Sequence, residues 1–143
     1  MAIRTADAEW QGNLRDGQGK MRLGSGAFEG SYSFRSRMGD GTNGTNPEEL
    51  IGAAHAGCYS MAFSAALANA GFTPTRVHTT ARVHFNPVEG GFAIGPIDLE
   101  TEAVIPGIDE ATFQHIAEGA KANCPVSKAL ASTPINLKAT LVS

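Results

Sequence analysis

The pattern of apolar and polar residues divides the chain into four blocks. The first block runs to about Arg37 and predicts three strands. They cover residues 5–10, 20–23 and 28–34. The third is the clearest, because Phe28, Tyr32 and Phe34 alternate with polar positions, as on a sheet with one buried face. Residues 38–46, rich in glycine, asparagine and threonine, predict a loop.

The second block predicts one long helix over residues 47–70. Asn46 suits the N-cap, Pro47 the first turn and Glu49 the third position of a capping box. Gly71 suits the position that follows a helix end. Small residues recur four apart along the helix, so the sequence predicts that another helix crosses it closely. They are Gly52 with Ala56 and Ala53 with Gly57.

The third block predicts two strands, over residues 77–85 and 91–105. The first alternates apolar and polar residues along its whole length, as in a half-buried antiparallel strand. In the second, apolar residues change from even to odd positions at Gly95 and Pro96. One extra residue there would account for the change, which predicts a bulge.

The fourth block predicts two helices and a closing strand. Asp109 suits the N-cap of a helix that stops at residues 123–125, and a short helix begins at Pro125. Residues 135–141 alternate as a final strand. The order βββ-α-ββ-αα-β lacks regular βαβ alternation. It therefore predicts an α+β fold with antiparallel sheets around long central helices.

Composition narrows the possible classes of protein. The length of 143 residues suits a single domain over 1–143 with its own core. Charged residues make up only 17% of the chain, against about 25% in typical soluble domains, so we expect surface to be hidden by oligomerisation. A net charge of −3 argues against nucleic-acid binding. No secretory signal is recognisable, and the uncharged segment 50–75 is too rich in alanine and glycine to favour a membrane span; we expect a cytoplasmic protein.

Two cysteines, Cys58 and Cys124, are the main candidates for chemistry. Since a structural disulfide is not expected in a reducing cytosol, the pair is either inert core or redox-active. Cys58 lies in the middle of the long helix, so a cation from elsewhere would have to lower its pKa. Cys124 precedes Pro125 at the start of a helix, where first-turn amides favour a thiolate. The residues alone allow Cys124 to be reactive and leave Cys58 open.

The histidines suggest other chemistries. His55 stands three positions before Cys58 and could serve as the base of a Cys-His hydrolase. A helix interior offers no free N–H for an oxyanion, so we favour a buried histidine bonded to the backbone or to a dimer partner. The other three show no ligand spacing, which argues against a metal site. They are His78, His84 and His115.

Residues 44–62, GTNPEELIGAAHAGCYSMA, resemble the signature helix of the osmotically inducible protein C (OsmC) family of peroxidases. Further matching segments occur in the same order along the chain. They are AGFTP at 70–74, PGID at 106–109 and NCPVS at 123–127. The PGID element and the sequence of the helix resemble the OsmC branch rather than the sister branch of organic hydroperoxide resistance proteins.

The resemblance implies a thiol peroxidase that reduces organic hydroperoxides to alcohols. It implies Cys58 as the attacking thiol, Cys124 as the resolving thiol and Glu48 as a catalytic carboxylate. It also implies an arginine in the strand before the helix; Arg37 is our choice, and Arg35 stays open because the intervening loop is one residue longer than the pattern. The implied reductant is an external dithiol or a lipoylated protein, with no bound cofactor.

This chemistry fits the residue types. A thiolate attacks the O–O bond, and its sulfenic acid condenses with a second thiol to a disulfide. Arginine stays charged and can hold the thiolate, while a carboxylate fixes the guanidinium fork. Without the resemblance, Glu48 would be read as compensating the helix dipole.

Spacing along the long helix constrains the assembly. Ten residues of continuous helix separate Glu48 from Cys58 by about 15 Å and turn them about 80° apart. The two side chains cannot meet within one chain. We therefore expect an intertwined homodimer with two shared active sites.

Two alternatives come from other functional classes. One is a non-enzymatic carrier that binds an apolar ligand in the dimer cleft. The other is a redox sensor that only forms the disulfide.

Overall fold

The computed structural model of the protein describes residues 1–142, within which six strands and four helices form. They are β1 (Ala6–Gln11), β2 (Gln18–Leu23), β3 (Glu29–Tyr32), α1 (Phe34–Met38), α2 (Pro47–Asn69), β4 (Arg76–Val88), β5 (Gly91–Val104), α3 (Glu110–Asn123), α4 (Pro125–Ala129) and β6 (Ile135–Val142). This confirms the predicted α+β class and the order βββ-α-ββ-αα-β, with the short helix α1 added.

The chain divides into two compact units, one from Met1 to Leu50 and one that begins at Ile51. The boundary falls inside α2. Each unit has its own three-stranded sheet, β1-β2-β3 in the first and β4-β5-β6 in the second. The single domain over 1–143 stays a prediction.

The first sheet is antiparallel throughout, and two of its aromatic side chains pack over one glycine. The rings of Trp10 and Tyr32 lie 5.4 Å apart between centroids. Gly19, which is buried, lies between them, and a Cβ added there would collide with both rings. Only glycine lets the two aromatic side chains approach in this way.

The third strand is shorter than the predicted range 28–34. It ends at Tyr32, and Phe34 begins α1 instead of continuing the alternation. The Ser33 hydroxyl accepts from the Ser36 N–H at 3.1 Å, and the Ser36 hydroxyl accepts from the Ser33 N–H at 2.9 Å. This reciprocal capping box gives the backbone a helical alternative to the sheet. The arginine expected on a strand therefore stands on a helix.

The start of α2 is confirmed at its N-cap and corrected at its capping box. The Asn46 side-chain oxygen accepts from the Glu49 N–H at 2.8 Å, as predicted. The Glu49 carboxylate accepts from the Thr45 hydroxyl at 2.9 Å rather than from the Asn46 backbone. The Asn46 amide also donates to the Ser36 carbonyl at 3.2 Å, which ties this cap to α1. At the other end Gly71 has φ +90°, the conformation predicted for it.

The predicted bulge forms in the antiparallel pair β4–β5. Val83 pairs with Ile97 and Phe85 with Ile94. One residue of β4 therefore faces two on β5, Gly95 and Pro96. The change of phase in the sequence had this cause.

The expectation of wholly antiparallel sheets was wrong for β6. This strand pairs with β5 in parallel, from Ile97 opposite Ile135 to Val104 opposite Val142. Helices α3 and α4 lie between the two strands in sequence. Such a helical crossover returns the chain to the end of the sheet where the earlier strand began, which makes parallel pairing possible.

The core of the second unit is built from α2, α3 and β5. Its fully buried apolar side chains include Tyr59, Phe63 and Leu67 from α2 and Phe113 from α3. By length and composition α2 could also cross a bilayer, since its mean hydropathy reaches 1.3. Its Tyr59, Phe63 and Leu67 face is occupied by protein, which is typical of a core helix.

Truncating the centre of this core should destabilise the protein strongly. Phe113 is fully buried, and its ring centroid lies 5.6 Å from that of Phe63. We expect Phe113→Ala to lower the free energy of unfolding by about 3–5 kcal/mol, measured by urea denaturation. Phe92→Ala makes the same chemical change at a ring that is 54% exposed and should cost no more than about 1.5 kcal/mol. Equal losses in the two variants would contradict this account of the core.

Candidate active site

The two cysteines lie together in the second unit. Both are free thiols, and the Sγ atoms are 3.0 Å apart although 66 residues separate them in sequence. Cys58 is half-buried in the middle of α2, whereas Cys124 is fully buried where α3 ends and α4 begins. The fold thus brings both thiols to a distance from which a disulfide can form.

The surroundings of the two thiols favour different protonation states. Burial raises the pKa of Cys58, and the neighbouring Cys124 raises it further. Burial alone would also raise the pKa of Cys124, but Cys58 and the polar groups of Ser127 and Val126 outweigh it, so the net direction is down.

Within the single chain Cys58 is therefore the weaker acid of the two thiols. Among the described residues, the groups that set the Cys58 pKa include no cation. A thiol in such a setting is a poor nucleophile, because the thiolate is the reactive form. For Cys58 to attack a peroxide, a positive charge has to reach it.

The arginine and the glutamate lie together in the first unit. Arg37 Nη2 donates to Glu48 Oε1 at 2.6 Å, and Arg37 Nε donates to Oε1 and Oε2 of the same carboxylate at 3.1 and 3.2 Å. The Glu48 side chain is only 8% exposed, against 36% for Arg37. A buried carboxylate that accepts several N–H groups fixes the guanidinium plane.

The pairing distinguishes the two candidate arginines. Helix α1 directs Arg37 to the first turn of α2, where Glu48 stands. Arg35, two residues earlier on the same short helix, is exposed. The sequence left these two alternatives open because the loop before α2 is one residue longer than the family pattern. The capping box that turns segment 35–37 into a helix is what brings Arg37 to Glu48.

The four predicted site residues therefore form two pairs, each within one unit. Helix α2 is continuous from Pro47 to Asn69, as the spacing argument assumed. Glu48 and Cys58 stand ten residues apart on it, a rise of about 15 Å.

His55 has a different partner from the ones predicted. It is fully buried, and its Nε2 lies 2.7 Å from the Ser127 hydroxyl of the same chain. The predicted burial is confirmed, but this partner is a side chain rather than the backbone, and the predicted contact with a dimer partner stays a prediction. Burial lowers the pKa of His55, so the ring is neutral at pH 7. Ser127 was missed as a site residue, although it closes the NCPVS segment three positions after Cys124.

An open apolar cavity of about 260 Å³ adjoins Arg37 in the first unit. Its apolar lining comes from β1, β3, α1 and the loop after β1. The lining side chains are Trp10, Leu14, Tyr32, Phe34 and Met38. Since these residues are far apart in sequence, the pattern alone could not predict the cavity.

The described part of the chain contains no candidate metal site. Among residues 1–142, no three His, Cys, Asp or Glu side chains converge on one point. One of the three remaining histidines, His84, contacts Asp98 at 2.7 Å in a pair on the strand surface.

Comparison with known proteins decides the family. The family of OsmC-like proteins matches residues 39–139. The chain is 49% identical over 128 residues to Peroxiredoxin OsmC of Escherichia coli, which covers 89% of each chain. The protein belongs to the OsmC-like family. It is also 35% identical over 96 residues, 66% of each chain, to the organic hydroperoxide resistance protein of Xanthomonas axonopodis pv. citri, so its place in the OsmC branch is confirmed.

Solved structures show the same OsmC-like fold. An OsmC-like protein from Mycoplasma pneumoniae has a TM-score of 0.75 at 18% identity, covering 99% of each chain. The organic hydroperoxide resistance protein OhrB of Bacillus subtilis has a TM-score of 0.72 at 24% identity, covering 96% of this chain and 98% of its own. At these identities the likeness concerns the fold alone.

The OsmC-like match includes three of the four candidate residues. Glu48, Cys58 and Cys124 fall inside residues 39–139, whereas Arg37 stands two positions before that range. For Arg37 the ion pair with Glu48 carries the argument.

Proposed function

We propose that the protein is a thiol-dependent peroxidase that reduces organic hydroperoxides to alcohols. The observation that carries this is the 3.0 Å approach of two free thiols in a chain 49% identical to Peroxiredoxin OsmC of E. coli. The Cys58 thiolate attacks the O–O bond, takes one oxygen as a sulfenic acid and releases an alkoxide that is protonated to the alcohol. Cys124 then attacks the sulfenic sulfur, a disulfide forms and water leaves. A dithiol returns both cysteines to thiols.

Arg37 supplies the positive charge that Cys58 needs, and it does so across a dimer. Cys58 has a raised pKa in its own chain, and Arg37 is held by Glu48, which stands ten residues before Cys58 in the sequence. In a homodimer, Arg37 and Glu48 of one subunit complete the site of the partner's Cys58. Two shared sites result.

One face of α2 supports this assembly. It is exposed, uncharged and made of small side chains around Met61, which is 76% exposed. The residues are Ala53, Ala54, Gly57, Met61, Ala65 and Ala68. A Cβ added at Gly57 would meet nothing within 4 Å, whereas one at Gly52 would meet Val83 and Ala81 of β4. Of the two rows predicted to meet a second helix, the row with Gly52 is therefore covered by β4, and the row with Gly57 is open to a partner.

The substrate and the reductant follow from the same site. The apolar cavity beside Arg37 suits the organic group of a hydroperoxide better than it suits hydrogen peroxide. No bound cofactor takes part in this cycle; a small dithiol or a lipoylated protein supplies the electrons. A cycle that depends on reduced thiols fits the cytoplasm.

Peroxide consumption with a dithiol tests the proposal. We expect repeated turnover with cumene hydroperoxide and slower turnover with hydrogen peroxide. Oxidation of one equivalent without turnover would favour the redox sensor. No oxidation of either thiol, with an apolar ligand bound, would favour the carrier.

The role of Arg37 has a test of its own. Arg37→Met should raise the Cys58 pKa and slow peroxide attack, because an adjacent cation stabilises the thiolate. Arg35→Met, two residues away and exposed, is the matched control and should do less. The rate of thiol alkylation against pH measures both. A larger shift in Arg35→Met would transfer the role to Arg35.

A further inference from the structure

Helices α2 and α4 are connected by two side-chain contacts that lie next to each other. His55 and Cys58 stand three residues apart on α2, and Cys124 and Ser127 stand three residues apart at the start of α4. His55 Nε2 lies 2.7 Å from Ser127 Oγ, and Cys58 Sγ lies 3.0 Å from Cys124 Sγ. Residues three apart on a helix share a face. The polar contact therefore ties α4 to α2 directly beside the thiol pair.

The environment of His55 determines its tautomer. Its Nδ1 is buried and has no hydrogen-bond partner among the described residues. Leaving a buried N–H unpaired is rarer and more costly than leaving a lone pair unmet, so the proton resides on Nε2. Nε2–H then donates to Ser127 Oγ, and the hydroxyl hydrogen of Ser127 is available to another acceptor.

In this inference the acceptor is the Cys124 sulfur, which stands three residues before Ser127 at the N-cap of α4. The Ser127 side chain is one of the groups that stabilise the Cys124 thiolate. Ser127 as a whole is only 6% exposed, so water competes little for its hydroxyl group. The chain of donors runs from His55 Nε2–H to Ser127 Oγ and from Ser127 O–H to Cys124 Sγ.

We propose that His55 and Ser127 are positioning residues for the resolving step, in which they orient a hydrogen-bond donor at Cys124 and hold it beside Cys58. In that step the Cys124 sulfur attacks the sulfur of the Cys58 sulfenic acid. The S–S bond forms, the S–O bond breaks, and the departing hydroxide leaves as water with the proton that Cys124 gives up. The inference rests on the proposed peroxidase function and assigns no part in the first attack.

Single-turnover oxidation separates the two steps. With one equivalent of cumene hydroperoxide and no reductant, we expect Ser127→Ala to consume peroxide at the wild-type rate but to form the disulfide about tenfold more slowly. Dimedone trapping should show the sulfenic acid that accumulates. Ser127→Thr, which keeps the hydroxyl, should restore the rate. Ser60→Ala removes a half-buried α2 hydroxyl bonded to Thr79 and should change neither step.

His55 is tested in the same assay. His55→Leu should slow disulfide formation as Ser127→Ala does, and His55→Gln, which keeps an N–H donor, should recover part of the rate. In wild-type protein, nitrogen-15 NMR should show His55 protonated at Nε2, a result that does not depend on any variant folding. Protonation at Nδ1, or normal disulfide formation in a folded Ser127→Ala, would overturn the inference.

A further measurement keeps this inference distinct from the proposed function. In a Cys58→Ser background, Ser127→Ala should raise the Cys124 pKa, followed by thiolate absorbance near 240 nm. If the wild type consumed no hydroperoxide, the peroxidase function would fail while this shift still reported on Ser127. An unchanged Cys124 pKa would show that the hydroxyl does not act on the sulfur.

Discussion

Cys58→Ser should abolish hydroperoxide reduction, a loss on the order of 10³-fold or more. A serine hydroxyl is not ionised at neutral pH and cannot form the sulfenic acid. Consumption of cumene hydroperoxide in the presence of a dithiol measures the loss. Unfolding by urea serves as the control, since a serine in place of a half-buried thiol should leave the fold intact.

Cys124→Ser should instead complete one oxidation and then stall. Cys58 still attacks, but its sulfenic acid has no second thiol 3.0 Å away with which to condense. Mass spectrometry should find one added oxygen, or one dimedone adduct, on Cys58. A stoichiometric burst in Cys58→Ser, or full cycling in Cys124→Ser, would reverse the two roles.

This pair of variants is informative because the local pKa directions in the single chain favour the opposite assignment of the two cysteines. Its local environment lowers the pKa of Cys124 and raises that of Cys58. If these surroundings decided the chemistry, Cys124 would be the nucleophile. Since Cys124 is also fully buried, a peroxide would have to reach a thiol that solvent does not touch. The half-buried Cys58 is accessible and needs only a cation.

Most of the elements could be predicted because their signals are local. Asn46, Pro47 and Gly71 mark the ends of α2 through backbone chemistry that acts within a few residues. The change of phase at Gly95 records the bulge directly, since side chains alternate strictly along a strand. Helix α1 was missed for a related reason. Its capping box uses two serines, which are weaker signals than the usual serine and glutamate.

The features that were wrong or missed depend on distant contacts. The parallel pairing of β6 with β5 depends on how α3 and α4 pack, which no pattern within β6 reveals. The partner of His55 lies 72 residues away, so His55 alone predicted burial but not Ser127. Similarly, only the folded chain shows that Arg37 rather than Arg35 meets Glu48.

Mixing two impaired variants should restore activity if the sites are shared. Glu48→Ala keeps Cys58, and Cys58→Ser keeps Glu48. In a mixed dimer one site combines the intact Cys58 with the intact Glu48 of the partner subunit, and the other site carries both changes. After random exchange about half of the dimers are mixed, so about a quarter of the wild-type sites should return. Peroxide consumption before and after exchange measures the recovery.

A matched control exchanges wild type with the double variant Glu48→Ala/Cys58→Ser. In a shared-site dimer, every mixed dimer is inactive, because each of its two sites carries one change. An equal mixture should therefore fall from about half to about a quarter of full activity on exchange. If each chain kept its own site, the mixture would stay near half and the two impaired variants would recover nothing. Mass spectrometry checks that the subunits have exchanged. If the dimer interface is too stable for exchange, a mild denaturant is added to promote it. Recovery in the first mixture together with loss in the second would mean that Glu48 acts on the partner's Cys58, as we predict from the spacing of the two residues on α2.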